Sequence, residues 1–205
     1  MDKIFWEYLE MLPEQEITYC EWRRHLSDWH CFNTFYNYFL KVDEKHAKFL
    51  GCTTPCEFGC PRQIEENTPY DITAVCTQNK ADPIPLKFRD ILMYSMRHED
   101  FHKAICASLQ IEQPLNKLSE CRSTWYLGEH SGTAVYLTCR MTELTETIGR
   151  FVNYCVRRRS SLWLRPCGMT SEAQQLLAGN DAVLLSMADE FTLQSDGSFK
   201  LLRNA

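Results

Sequence analysis

Apolar residues recur at helical spacing in the first part of the chain and predict a helical N-terminal part. In residues 3–12 the apolar side chains fall three or four positions apart, on one face of a helix. Residues 18–29 and 31–41 are predicted as two further helices, and their many aromatic rings are interpreted as core packing. Residues 86–96 and 99–110 show similar spacing and predict a helix pair.

The pattern changes after residue 122 to short apolar runs that are typical of strands. Residues 123–128 and 133–139 predict two strands joined by a turn at 129–132. Residues 142–158 place apolar side chains at i, i+4, i+7, i+8 and i+11 and predict an amphipathic helix. Residues 161–165 predict another short strand.

The last segment combines a capped helix, an apolar run and a hairpin signal. Thr170 or Ser171 caps a helix that runs to about Ala178. The apolar run 182–187 fits either a strand or a helix, and Asp196–Gly197 is a strong hairpin turn signal. This order predicts either a winged-helix-like end or the last α/β unit of a small sheet.

Together these elements predict an α+β fold in two units. Residues 1–111 form a helical domain with a cysteine-rich hairpin inserted at 51–76, followed by the helix pair. Residues 112–122, which contain Pro114, form the linker, and residues 123–205 form a small α/β domain.

Composition and charge limit the classes of protein that fit. Of 205 residues, 44% are apolar and 24% are charged, as in ordinary globular domains. No apolar run is long enough to span a membrane, and the acidic N-terminus lacks the features of a signal peptide, so we expect a cytoplasmic location. The net charge of −5 gives no global reason to bind nucleic acid.

Four of the eleven cysteines are clustered and predict a structural zinc site. Their spacing is Cys52-x3-Cys56-x3-Cys60-x15-Cys76, and a turn at residues 66–69 would fold the last cysteine back beside the other three. Zinc takes four thiolates in a tetrahedral, closed site that leaves no position for catalysis. The general layout is that of a zinc ribbon or knuckle with wider spacing, and His46 is a reserve ligand.

Two alternatives to zinc stay open for this cluster. The four cysteines are either free thiols without a metal or the ligands of an iron–sulfur cluster, which thiolates alone also hold. The other seven cysteines are scattered singly and are interpreted as core or surface residues.

Other catalytic or cofactor signals are weak. The sequence has no nucleophile elbow and no glycine-rich phosphate loop. Its one match to H-E-x-x-H is His98-Glu99-Asp100-Phe101-His102. His98 and His102 stand four positions apart, a metal-capable spacing, but a place at the start of a helix is the plainer interpretation. An acidic active site would need residues dispersed along the chain, such as Asp71, Asp90, Glu143 and Asp189.

The concentrated basic stretch is Arg157-Arg158-Arg159, with Arg150 and Arg165 nearby. One interpretation is a solvated helix end, where cations complement the helix dipole. The other is a nucleic-acid-binding or partner-binding patch that contacts phosphates or an acidic protein.

These observations favour a zinc-stabilised, non-catalytic binding or adaptor protein that acts through a protein partner or nucleic acid. Accessory or regulatory factors of bacterial or phage type fit this description. The alternatives are a small hydrolase or nuclease with dispersed acidic residues, and a structural subunit of a larger assembly. Whether the protein is an enzyme stays open at this point, with the missing motifs arguing against it.

Overall fold

Strands, not helices, dominate the computed structural model. It describes residues 6–7, 9–10, 16–26, 28–52, 61–78, 82–112, 116–118, 123–139, 160–167, 175 and 182–202. In chain order the elements are β1 (Ile17–Thr18), α1 (Tyr19–His25), α2 (Trp29–Phe39), β2 (Leu40–His46), β3 (Phe49–Leu50), β4 (Arg62–Thr68), β5 (Asp71–Cys76), β6 (Ile84–Leu86), α3 (Phe88–Ile91), β7 (Leu92–Met96), α4 (His98–Ser108), β8 (Asn116–Lys117), β9 (Thr124–His130), β10 (Thr133–Thr138), β11 (Ser161–Arg165), β12 (Ala182–Ser186), α5 (Met187–Glu190), β13 (Phe191–Leu193) and β14 (Phe199–Leu201).

The predicted α+β fold with a helical N-terminal part is wrong. Strands hold 45% of the described residues and form four antiparallel or mixed sheets. Helices α1 and α2 are present where helices were predicted, but α1 is shorter, and the chain turns into the seven-residue strand β2 directly after α2. Most side chains of β2 are exposed and polar, so no alternation of apolar residues marks it in the sequence.

The first half of the predicted helix pair is also wrong. Residues 84–86 form strand β6, residues 88–91 form one helical turn, and residues 92–96 form β7. Strand β7 is the centre of a three-stranded sheet, with Tyr94 paired to Ile17 on one side and to Val42 on the other. Pairing along both edges satisfies the backbone of β7, and these long-range partners override the local helical spacing. The second half is correct, because α4 spans His98–Ser108.

The C-terminal strands are largely as predicted. Strands β9 and β10 pair antiparallel around the turn at 131–132, and β13 and β14 flank the Asp196–Gly197 turn. Strand β12 resolves the ambiguous run 182–187: it lies parallel to β11 at the edge of a five-stranded sheet ordered β12-β11-β10-β9-β8. The winged-helix option is therefore wrong. The predicted helix over 142–158 lies outside the described residues, as does nearly all of the one after Thr170.

The turn at Gly197 requires glycine for two reasons. Its φ of +82° lies in the left-handed region, where side chains are strained. A Cβ there would also lie 2.5 Å from Cγ of Tyr38, so the glycine backbone packs directly against that ring. Asp196 completes the turn by accepting hydrogen bonds from the backbone and hydroxyl of Ser198 at 2.9 and 2.6 Å.

One hydrophobic core joins elements from both sides of the predicted linker. Phe39 of α2, Phe101 of α4 and Phe199 of β14 meet there: Phe39 stacks on Phe199 at 5.8 Å, and Phe101 meets both rings edge-on at 5.5 and 5.4 Å. No described helix is long and apolar enough to cross a membrane.

The linker predicted at residues 112–122 stays a prediction. The shared core determines how the two fragments would behave after a proteolytic cut in this segment. We expect limited proteolysis in this segment to give fragments of about 110 and 85 residues, an estimate from its position. Because both fragments contribute to one core, we expect them to elute together in gel filtration and to separate only in denaturant. Two separate native peaks would contradict this.

Candidate functional site

The predicted cysteine site falls at one end of the four-stranded antiparallel sheet β3-β4-β5-β6. The hairpin predicted between Cys60 and Cys76 is present as β4 and β5. Leu50 pairs with Arg62 and Arg62 pairs with Cys76, so the end of β3, the start of β4 and the end of β5 lie side by side. Cys52 follows Leu50 by two positions and is half-buried, while Cys76 is buried.

Arg62 lies between these two strand ends and is 3% exposed. Its Nη1 donates to the Asp82 backbone carbonyl at 2.5 Å, and its Nη2 lies 3.7 Å from the Asp82 carboxylate. Four thiolates around one Zn²⁺ carry an excess of negative charge, which a buried guanidinium nearby would offset. Arg62, paired with Asp82, therefore lies at the same end of the sheet as Cys52 and Cys76.

The structure brings the two described cysteines of the cluster to the same end of the sheet. Cys56 and Cys60 lie outside the described residues, so the four-cysteine zinc site stays a prediction. Within the described part of the chain, no three His, Cys, Asp or Glu side chains are grouped to hold a metal. The reserve ligand His46 has other partners, since its Nδ1 lies 3.2 Å from a Glu66 carboxylate oxygen and its ring meets Phe88.

The basic stretch is described only at Arg165, because Arg150, Arg157, Arg158 and Arg159 lie outside the described residues. Arg165 is 1% exposed and its Nη2 bonds the carboxylate of Glu10, which is itself buried. Its guanidinium is therefore held in the interior and is not presented on a surface patch. The role predicted for the other four arginines stays a prediction.

Arg165 belongs to a buried polar cluster that sequence reasoning missed. Cys167 donates its thiol to Oε2 of Glu10 at 2.5 Å, and Cys139 is buried nearby at the end of β10. Burial, and then the hydrogen bond to Glu10, raises the pKa of Cys167 to about 12. Burial also raises the pKa of Cys139 far above its usual value. Both thiols therefore stay neutral near pH 7 in this state.

The predicted histidine pair lies on the first turns of α4 and packs against Trp125. The His98 ring stacks on Trp125 with centroids 5.5 Å apart, and the His102 ring lies 4.6 Å from it. His102 is 2% exposed, and burial, followed by the nearby His98, lowers its pKa to about 3. This environment fits a neutral core histidine at position 102.

His102 is expected to make the fold sensitive to acid. Its folded pKa of about 3 lies below the unfolded value of about 6.5, so the unfolded state takes up the proton first as the pH falls. The stability that the neutral ring contributes is complete above pH 6.5 and is lost between pH 6.5 and 3, at about 1.4 kcal/mol per pH unit.

Between pH 7.5 and pH 5 we therefore expect the free energy of unfolding of the parent to fall by about 2 kcal/mol more than that of His102→Leu. Urea unfolding at both pH values measures this difference. The control His30→Gln alters an exposed histidine and should follow the parent. An equal loss in the His102 variant would show that another group controls acid unfolding.

The dispersed acids do not come together in the described part of the chain. Asp71 accepts from the Asn67 side chain at 3.0 Å in the β4–β5 hairpin, and Asp90 accepts from the backbone of Lys87 at 2.9 Å to cap α3. Asp189 lies in α5, and Glu143 is outside the described residues. Asp71 and Asp90 thus serve a local turn and a cap, so the described acids give the hydrolase or nuclease alternative no support.

The tip of the β4–β5 hairpin is the most exposed aromatic position described. Tyr70 is 98% exposed there, and Phe49, on the neighbouring strand β3, is 54% exposed. The exposed charged side chains of the hairpin, Glu65, Glu66 and Asp71, are all acidic. The hairpin therefore presents one exposed aromatic side chain, Tyr70, among negative charges.

No family model, no curated protein and no solved structure matches this chain. The residues and geometry of the chain itself therefore carry the functional proposal.

Proposed function

We propose that this protein is a zinc-stabilised, non-catalytic adaptor that binds a protein partner through the β4–β5 hairpin. The observation that carries the proposal is the register Leu50–Arg62–Cys76, which sets Cys52 and Cys76 at one end of a small sheet. Cys60 stands two positions before β4 in the sequence, and Cys56 stands between Cys52 and Cys60.

A metal at this end of the sheet would be structural. Cys52, Cys56, Cys60 and Cys76 would hold zinc, which, when bound, cross-links the chain and leaves no open coordination position. The hairpin is small, and most side chains of β4 are exposed. The apolar surface that it buries therefore contributes little to stability. A metal at its base would help such a hairpin to hold its shape at the surface.

A protein partner fits the described surface better than nucleic acid does. Exposed aromatic side chains surrounded by charges are typical of protein interfaces, where they supply most of the binding energy. Negative charges at Glu65, Glu66 and Asp71 would repel a phosphate backbone and attract a basic protein surface. Nucleic-acid binding through Arg157–Arg159 remains the second prediction from the sequence.

We expect purified protein to contain about one zinc per chain by elemental analysis. Cys76→Ser should lose this zinc, because three thiolates cannot complete a closed four-sulfur site. Cys20→Ser is the matched control: Cys20 is half-buried, donates to the Asp90 carbonyl at 3.5 Å and lies outside the cluster. Iron with visible absorbance would favour the iron–sulfur alternative, and a metal-free, fully folded protein would overturn the zinc proposal.

The partner is tested by capture on the immobilised full-length protein from its native host. We expect a protein that is retained by the parent and by Val183→Ser, an exposed change on a different sheet, but lost from Tyr70→Ala. Glu65→Lys should weaken retention, most strongly at low salt. Recovered nucleic acid that is unaffected by Tyr70→Ala would move the interface from the hairpin to the basic stretch.

A further inference from the structure

The carboxyl ends of three parallel strands meet at one edge of the five-stranded sheet. Strands β10 and β12 each lie parallel to β11, and the three end at Thr138, Arg165 and Ser186. Arg165 pairs in register with Ser186, so both side chains stand on the same face of the sheet. In sheets with parallel strands, ligands commonly bind outside this edge.

Arg165 and Ser186 have unused hydrogen-bonding capacity at this edge. The Arg165 guanidinium is fully buried, yet after Nη2 has bonded Glu10, its Nε and Nη1 have no partner among the described residues. The buried hydroxyl of Ser186 has none there either. More than nine-tenths of buried polar groups in proteins are satisfied, and an unsatisfied charged donor is especially costly. The two unused guanidinium nitrogens and the hydroxyl of the residue paired in register therefore indicate an acceptor at this edge.

We propose that this edge is a binding site for a small oxyanion, a phosphate or a carboxylate, held by Arg165 and Ser186. The guanidinium supplies N–H donors that match such oxygens, and the Ser186 hydroxyl adds a neutral donor. Glu10 fixes the guanidinium through Nη2 and offsets its charge. A singly charged ligand then adds the least uncompensated charge to the buried site.

The cysteines beside the site keep it free of further negative charge. Cys139 and Cys167 are neutral thiols near pH 7, because burial raises the pKa of both. They are weakly polar side chains that follow the ends of β10 and β11 in the sequence. The site is far in sequence from the cysteine cluster at 52–76 and does not depend on the zinc proposal.

Thermal unfolding of the full-length protein tests this inference, with sodium chloride replaced by sodium phosphate or sodium acetate at constant ionic strength. We expect one of the two anions to raise the melting temperature saturably, which also identifies the source of the oxyanion. Ser186→Ala should weaken the apparent affinity at least about tenfold, the effect of one lost hydrogen bond to a charged ligand. Ser161→Ala, at the opposite end of β11, should leave it unchanged.

A direct readout keeps the test independent of variant stability. In the parent, the ¹⁵N–¹H signal of the Arg165 side-chain Nε, identified by its loss in Arg165→Lys, should move as the binding anion is added. A saturable shift of that signal supports the site even where the Ser186 variant folds poorly. A melting temperature insensitive to both anions, or equal effects in the parent and Ser186→Ala, would show that ordered water satisfies these donors and would overturn the proposal.

Discussion

Replacing Phe101 with alanine is expected to lower the free energy of unfolding by about 3–5 kcal/mol. The ring is 2% exposed and touches Phe39 and Phe199 edge-on, so it links α2, α4 and the C-terminal hairpin. Its loss removes buried apolar surface and leaves a cavity that three elements line together. Because those elements come from both sides of residues 112–122, the whole core should lose stability at once.

Equilibrium unfolding in urea, followed by both fluorescence and far-UV circular dichroism, measures this effect. Phe49→Ala is the matched control, because that ring is 54% exposed on β3 and should change the midpoint little. Coincident transitions from the two probes are expected for the parent if the halves share one core. Two separate transitions, with only one sensitive to Phe101→Ala, would show instead that the halves unfold independently.

Breaking the buried ion pair between Glu10 and Arg165 is expected to have a similar cost. Replacing Glu10 with leucine leaves the Arg165 guanidinium in the interior without its carboxylate, a change that costs about 3–5 kcal/mol. Replacing both residues, as Glu10→Leu with Arg165→Met, removes the uncompensated charge. We therefore expect the double variant to recover most of the lost stability.

The double-mutant cycle is measured by urea unfolding of the parent, the two single variants and the double variant. The exposed pair Lys45–Glu16, with Nζ and Oε1 2.8 Å apart, supplies the control. Lys45→Ala should leave the unfolding midpoint unchanged, because water screens that pair. If Glu10→Leu is as stable as the parent, the pair is solvated in solution and Arg165 is not a buried charge.

Local sequence patterns identified the elements whose signals are contained within one segment. Thr18 and Glu21 form a reciprocal cap at the start of α1 and Asp28 caps α2, local signals that the helix predictions did not use. Asp196–Gly197 specifies a turn that few other residue pairs can form, so the β13–β14 hairpin is correct. In the cysteine segment, the turn predicted at residues 66–69 located the β4–β5 hairpin, although β4 continues to Thr68.

The candidate sites also differ in whether their residues stand close together in the sequence. The spacing of the four cysteines is visible in the sequence, and the hairpin needed to bring Cys76 back was predicted with it. The Glu10–Arg165 pair was not predicted, because its members stand 155 positions apart in the sequence. Each has the local surroundings of an ordinary charged residue. The one available signal that Arg165 is buried was its position at the end of the apolar strand Ser161–Arg165. That signal does not identify the residue that pairs with it.

The sequence by itself determined the turn at Asp196–Gly197, the β4–β5 hairpin, the helix α4 and which cysteines cluster. Those features depend on contacts a few residues apart, so local composition decides them. Tertiary structure alone decided that residues 92–96 are a central strand, that β2 pairs at a sheet edge despite its charges, and that Arg165 lies inside. Each of these depends on backbone pairing or desolvation by distant segments, whose free energy exceeds the local preference.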